Sequence, residues 1–182
     1  MDALNAYKLA RNYNFDINMD LIMGLTGDTI KSFTDTIETA IHLNPENITV
    51  HTLALKRASN LKENNANIFK NESKVNKMGK IASTSLKNAG YKPYYLYRQK
   101  NMVSGLENVG YFKDNKICYF NIDSMDELST IVACGANGIS KRVFSLTNRI
   151  ERFANVKDIK EYNNRIDEML EKKKALLELK EF

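Results

Sequence analysis

The sequence predicts an α/β fold, and three observations carry that expectation. Residues 16–23 and 48–54 read as short strands, with a segment at helical spacing between them. A second long amphipathic segment follows at about 72–89. Beyond residue 90 the pattern changes to aromatic and mixed strands with short helices, so an α+β region follows the α/β part.

Taken in order, residues 2–13 form a short helix with Leu4 and Tyr7 along one side. In strand 16–23, Ile17, Met19, Leu21 and Met23 share one parity, and Asn18, Asp20 and Ile22 the other. Gly24-Leu25-Thr26-Gly27-Asp28 breaks it. A helix at 29–43 carries Ile30, Phe33, Ile37, Ala40 and Ile41, is capped by Asp28 or Thr29, and stops at Asn44-Pro45. Strand, helix and strand then match a right-handed βαβ unit with parallel strands. Residues 56–70 are polar and Asn-rich and read as a loop. Helix 72–89 buries Val75, Met78, Ile81, Ala82, Leu86 and Ala89, with Gly90 placed to end it.

In the second half, Tyr91–Tyr97 is an aromatic strand and 110–122 a hairpin turning at Asp114-Asn115. Ser124-Met125-Asp126-Glu127 reads as a capping box opening a helix to about Cys134. Residues 135–138 break that helix, and Ile139–Leu146 is a further strand. Asn155 caps a final long helix to about Leu179, with Tyr162, Ile166, Met169, Leu170, Leu176 and Leu177 inward.

Two or three parallel strands are too few for a covered parallel sheet. The simplest expectation is the later part of a larger α/β domain. The alternative is an open sheet completed by the antiparallel strands downstream. Either way, an exposed sheet edge offers a contact for dimerisation.

Composition narrows the function classes. The 182 residues are 43% hydrophobic, which excludes wholesale disorder. No run of about 18 apolar residues occurs, so no membrane span is expected. The first residues lack the basic-then-apolar pattern of a secretory signal, and the two cysteines exclude a disulfide scaffold. A reducing, cytoplasmic setting is the expectation. The net charge of +5 suggests nucleic acid at first. However, Lys outnumbers Arg 20 to 7 and Asn reaches 22, a bias of base composition rather than of phosphate binding. Residues 70–104 carry 8 positive and 1 negative group, more than the whole excess.

Several residues carry chemistry by type and position. Asp20 lies near the C-terminal end of a strand, where sites gather in α/β barrels. A carboxylate satisfied by backbone or by a lysine is the plain alternative. His51 shares parity with Thr49 and faces the same side, though a lone histidine is more often a hydrogen-bonded core residue. His42 reads as a helix-end surface group, and Gly24–Gly27 as a βα turn rather than a phosphate loop. Cys118 and Cys134 lack metal spacing. The Lys172-Lys173-Lys174 run is a solvated helix face. In Tyr91–Asn101, four tyrosines and three cations suit a flat anionic ligand, or else a half-buried strand.

These residues also carry a resemblance. The run Ile17-Asn18-Met19-Asp20-Leu21-Ile22-Met23-Gly24-Leu25, then Gly27, Phe33 and Thr36, then Leu43–His51, resembles oxygen-independent coproporphyrinogen III oxidases, radical S-adenosylmethionine enzymes of haem synthesis. Tyr94–Met102 and Leu106-Glu107-Asn108-Val109-Gly110-Tyr111 look like the Firmicute branch of these enzymes. The similarity extends over essentially the whole chain. Thr26 departs from the usual Pro after Gly-Leu.

The resemblance implies later βα units of a partial (β/α)6 TIM-like barrel over 1–90, and a mixed α+β region over 91–182 ending in a long helix. It implies oxidative decarboxylation of propionates to vinyl groups, with S-adenosylmethionine and a [4Fe–4S] cluster as cofactors. The family holds its cluster on Cys-x3-Cys-x2-Cys, and no such motif occurs in this sequence. The expectation is therefore a C-terminal fragment, inactive alone, with neither cofactor bound and no metal ligands of its own. Family positions fall on Asp20 and Ile22 for S-adenosylmethionine, with a backbone contact near Ala54. His51, Tyr97, Arg98, Asn108 and Tyr111 are the substrate candidates, and no catalytic residue is assigned. The expected partner is a tetrapyrrole, with neither nucleic acid nor membrane. The alternatives are a non-enzymatic module binding tetrapyrrole or nucleic acid, or a relative in haem trafficking or another radical reaction.

Overall fold

The computed structural model describes residues 2–54, 72–98 and 105–181. The Asn-rich stretch 56–70 lies outside them, as do Gln99–Met102 of the family match. The chain divides into two compact units, Met1–Cys118 and Tyr119–Phe182.

The first unit runs α1 (Ala3–Ala10), β1 (Asn18–Met23), α2 (Ile30–Leu43), β2 (Asn47–Thr52), α3 (Glu72–Asn88), β3 (Lys92–Tyr97) and β4 (Asn108–Phe112). Its sheet has the order β1-β2-β4-β3. The β1–β2 pair is parallel, and β4 lies antiparallel to both β2 and β3. The expected βαβ unit is present, in a mixed α/β fold. Among the described residues the sheet is open and completed by antiparallel strands, as in the alternative expectation, and the partial (β/α)6 barrel implied over 1–90 is not seen as such. Strands β3 and β4, which lie beyond residue 90, join the same sheet as β1 and β2.

Local chemistry explains each helix boundary. Thr29 caps α2 by accepting from Ser32 N, and the Ser32 hydroxyl accepts in turn from Thr29 N. Asn44 ends the helix in the left-handed region at φ 56°, and Pro45 prevents its continuation. At the end of α3, Gly90 takes φ +88°, Gly90 N–H bonds Lys87 O, and Tyr91 N–H bonds Leu86 O. This closes the helix as the sequence predicts.

Helices α2 and α3 cover one face of the sheet. Phe33, Ile37 and Ala40 from α2 and Val75, Met78, Ala82 and Leu86 from α3 pack on Leu21, Met23, Ile48, Val50 and Tyr111. Strand alternation therefore turns Asn18, Asp20 and Ile22 to the opposite, open face, as the parity of β1 predicts. Tyr91 is sealed at the base of the core and donates to Pro45 O at 2.6 Å. Burial, its largest influence, pushes its phenol up to about 12.

The expected 110–122 hairpin is not formed. Asp114 and Asn115 do turn the chain, at φ 53° and 59°. But β4 already has β2 on one side and β3 on the other, so a returning strand has no free edge to pair with. The chain instead forms α4 (Tyr119–Met125), which opens the second unit.

The second unit continues with β5 (Ile139–Phe144), β6 (Arg149–Ala154), α5 (Ile159–Asn164) and α6 (Ile166–Glu178), with β5 and β6 as an antiparallel pair. The Ser124–Glu127 signal marks the end of α4 rather than the start of a helix. Glu127 sits at φ 55° and Leu128 N–H bonds Asp123 O, the closure of a helix C-terminus. The expected final helix is two helices broken at Arg165, and Asp158, not Asn155, caps the first through Glu161 N. Asn155 is not free to cap. It is buried, donates to Gly135 O at 2.7 Å and accepts from Lys173 Nζ at 2.7 Å. The break also resets the inward face, so Met169, Lys173 and Leu176 are buried while Leu170 and Leu177 are about half exposed. Lys173 is thus a core residue and not part of a solvated run.

Candidate functional site

The open face of the first sheet gathers its polar side chains at the C-terminal end of the parallel pair. Register sets Asp20 beside Thr49 and Ile22 beside His51. Asp20 Oδ1 accepts from Asn18 Nδ2 at 2.7 Å and lies 3.6 Å from His51 Nε2. The His51 contact, opposed by burial and joined by Asn18 and Thr49, holds the Asp20 carboxyl below its usual range. The carboxylate is 60% exposed and the imidazole 33%, so both remain open to a ligand. The plain alternative for Asp20, a carboxylate consumed by backbone or lysine, does not describe this arrangement.

Ile22 is 44% exposed on the same face and offers an apolar platform next to the carboxylate. Ala54 follows two residues after β2, where Leu53 N–H still bonds Met23 O and prolongs the parallel ladder. Gly24 and Gly27, at φ 84° and 87°, form the βα turn beyond β1. A Cβ on Gly24 would sit 3.1 Å from Val75 Cγ2, so this turn packs directly on α3.

The substrate candidates part company. Tyr97 pairs with Asn108 across β3 and β4 on the open face. Asn108 is buried, and its Oδ1 accepts from Thr52 N at 2.8 Å, which fixes the end of β2. Arg98 follows β3, and its Nη2 donates to Gly105 O. Tyr111 belongs to the helix-side core. It lines a groove of about 800 Å³ between α3 and β3–β4, with Met23, Val50, Leu96, Leu106 and Val109. That apolar groove lies on the face opposite Asp20. Lys80 and Glu107 also line it, and it takes in neither Asp20 nor His51.

The basic stretch does not converge on Asp20 either. Lys74, Lys77, Lys80 and Lys87 are carried by α3, on the helix side. Lys74 Nζ donates to Asp28 O in the βα turn. The other described cations of 70–104 are Lys92, at the start of β3, and Arg98, just after its end. His42 is exposed at the end of α2.

Sequence reading took in Tyr95 and Gly110 only as parts of longer runs and singled out neither for the site. Tyr95 reaches across β4 to Thr49, its hydroxyl 3.4 Å from Thr49 Oγ1. Gly110 leaves room for it, since a Cβ there would sit 1.9 Å from Tyr95 Cε1. A glycine inside a strand is the signal that could have pointed to this close approach. A β-bulge between Pro93 and Tyr95 lets Tyr94 meet Tyr95 edge-on at 4.8 Å and Phe112 at 5.8 Å.

The residues present do not fit an iron–sulfur cluster. A site-differentiated cluster needs three thiolates, and the chain has Cys118 and Cys134 alone, one in each unit. No group of three metal-ligating side chains occurs among the described residues. They do fit a polyol with a flat apolar part: a half-exposed carboxylate beside an exposed isoleucine. Among the described residues, no helix is long and apolar enough to cross a membrane.

No protein-family model matches the chain. It is 40% identical over 179 residues to the oxygen-independent coproporphyrinogen-III oxidase-like protein HemZ of Bacillus subtilis (strain 168). That match takes in 97% of this chain and 36% of the relative. The fold is similar to that of the Escherichia coli coproporphyrinogen III oxidase HemN, described as a radical SAM enzyme. The TM-score is 0.54 at 18% identity, over 92% of this chain and 38% of that one. This chain thus spans a little over a third of the length of the relatives it matches, and over nearly all of its own length it resembles an oxygen-independent coproporphyrinogen-III oxidase-like protein.

Proposed function

We propose that this chain supplies part of the S-adenosylmethionine-binding face of a radical enzyme acting on a coproporphyrinogen-like tetrapyrrole. The observation that carries the reading is the Asp20–Ile22 pair, open to solvent at the C-terminal end of a parallel strand pair. It falls inside the stretch that resembles the oxidases. Asp20 would accept hydroxyls of the ribose and Ile22 would pack against the adenine. Ala54 would lend a backbone contact. Arg98 and Tyr97 would meet a propionate. The reaction is oxidative decarboxylation of propionates to vinyl groups. The cluster that such a reaction uses would be held by thiolates that these 182 residues do not contain.

S-adenosylhomocysteine, a redox-inert probe, tests the reading by calorimetry on the purified chain. Asp20→Asn keeps the size and removes the charge. It should weaken binding about tenfold, the loss of one charge-assisted hydrogen bond, with the circular dichroism unchanged. Equal affinity in wild type and Asp20→Asn would remove Asp20 from the site. An anaerobic assay of the full-length protein for vinyl porphyrinogen separates the oxidase from a haem-trafficking relative.

A further inference from the structure

Three hydrogen bonds on the open face point one way. The Tyr95 hydroxyl donates to Thr49 Oγ1 at 3.4 Å. The Thr49 hydroxyl donates to Asn18 Oδ1 at 3.1 Å. Asn18 Nδ2 donates to Asp20 Oδ1 at 2.7 Å. The row starts on β3, passes over β4, and ends at a carboxylate on β1. It can pass over β4 because Gly110 has no side chain there. Tyr94 supports the ring edge-on.

We propose that Tyr95 is a positioning residue, the far end of a row through Thr49 and Asn18 that fixes the Asp20 carboxylate for a ligand hydroxyl, Thr49 also acting on that carboxylate directly. Three features argue against a tyrosine that only packs. Each link donates toward the anion, so each polarises the next and the effect accumulates at Asp20. The row is built at the expense of a strand side chain, at Gly110. Its last bond and the His51 contact both fall on the same oxygen, Oδ1, which orients the carboxylate. His51 is the titratable group that faces Asp20, and Tyr95 interacts electrostatically with Asp20 and Cys118. The ligand side of the proposal rests on Asp20 as a ribose contact.

The test titrates Asp20 by carboxyl-carbon NMR in the 182-residue chain and measures S-adenosylhomocysteine affinity alongside. Tyr95→Phe keeps the ring and deletes the donor; Thr49→Val is nearly isosteric and cuts the row nearer the carboxylate. Both should raise the Asp20 midpoint, Thr49→Val more because it also removes Thr49's own contact with the carboxylate, so Tyr95→Phe is the variant that tests the row. Affinity should fall about threefold in Tyr95→Phe, within the range of one hydrogen bond. Gly110→Ala, which displaces the ring, should reproduce Tyr95→Phe. The same comparison in a His51→Gln background removes the neighbouring imidazole. An Asp20 midpoint that stays put in folded Tyr95→Phe overturns the row. A midpoint that moves while affinity does not upholds the row and overturns the ribose contact instead.

Discussion

Ile37→Ala should destabilise the first unit by about 3 kcal/mol, within the range for truncating a fully buried aliphatic side chain. Ile37 is 0% exposed in α2, in the cluster that includes Ile48, Met78 and Leu86. Truncation removes the transfer energy of three carbons and leaves a cavity that two helices and a sheet can only partly close. For a unit of this size the midpoint of thermal unfolding should fall by roughly 10 °C. Ile22→Ala is the control. Ile22 is also a strand-or-helix isoleucine of the first unit, but it lies on the open face at 44% exposure. Its loss should move stability by only about 0.5 kcal/mol. Urea unfolding followed by tyrosine fluorescence checks both, and the two units are to be fitted separately if their transitions part. Equal costs at the two positions would mean that the open face is covered in solution. The assignment of one face to folding and the other to ligand would then fail.

That division between faces was largely legible in the sequence. The parity of Ile17–Met23 separated Leu21 and Met23 from Asn18, Asp20 and Ile22, because side-chain alternation in a strand is a matter of backbone geometry. Helix ends at Asn44-Pro45 and Gly90 were legible for the same reason, as they depend on residues with special backbone preferences. What failed were signals that local sequence shares between two structures. Ser124–Glu127 fits both a helix start and the helix end that forms, and only the closure onto Asp123 O decides. Asp114-Asn115 does turn, but whether a strand returns depends on whether β4 has a free edge, which is a fact about β2 and β3. Asn155 is a fair capping residue in isolation and is taken by Lys173, 18 positions away. The candidate site was legible as Asp20 and His51. The Tyr95 row was not, because it joins three strands whose order cannot be read from residue spacing. Likewise Asn108 and Tyr111 lay within the matched stretch but were assigned by tertiary packing to structural posts.

Glu46→Gln should cost about 2 kcal/mol at neutral pH, and the cost should shrink as the solution is acidified. Glu46 takes Arg11 Nη1 on both oxygens, at 2.8 and 3.0 Å, and Ile17 N on Oε2 at 2.8 Å. Arg11 also donates from Nη2 to Asn44 O at 2.9 Å and from Nε to the Tyr7 hydroxyl at 2.7 Å. That hydroxyl donates to Leu43 O. One carboxylate therefore fastens α1, the start of β1 and the α2–β2 turn, and so holds the strand that carries Asp20. The pair is partly exposed, at 31% and 21%, which keeps the loss below that of a fully buried ion pair. Glutamine can accept with one oxygen but turns an amide toward a guanidinium. Burial raises the Glu46 carboxyl, yet the Arg11 and Ile17 hydrogen bonds outweigh it and hold the group below its ordinary range. A depressed folded value gives stability that is complete above the unfolded value and is lost as pH falls through the folded one. The gap between wild type and Glu46→Gln, measured by urea unfolding from neutral pH down through the carboxylate range, should accordingly close from the wild-type side. Arg11→Lys, which keeps the charge but loses the fork, should recover only part of the wild-type stability. A gap that stays constant with pH would show that Glu46 acts through packing alone and that its charge does not hold β1 in place.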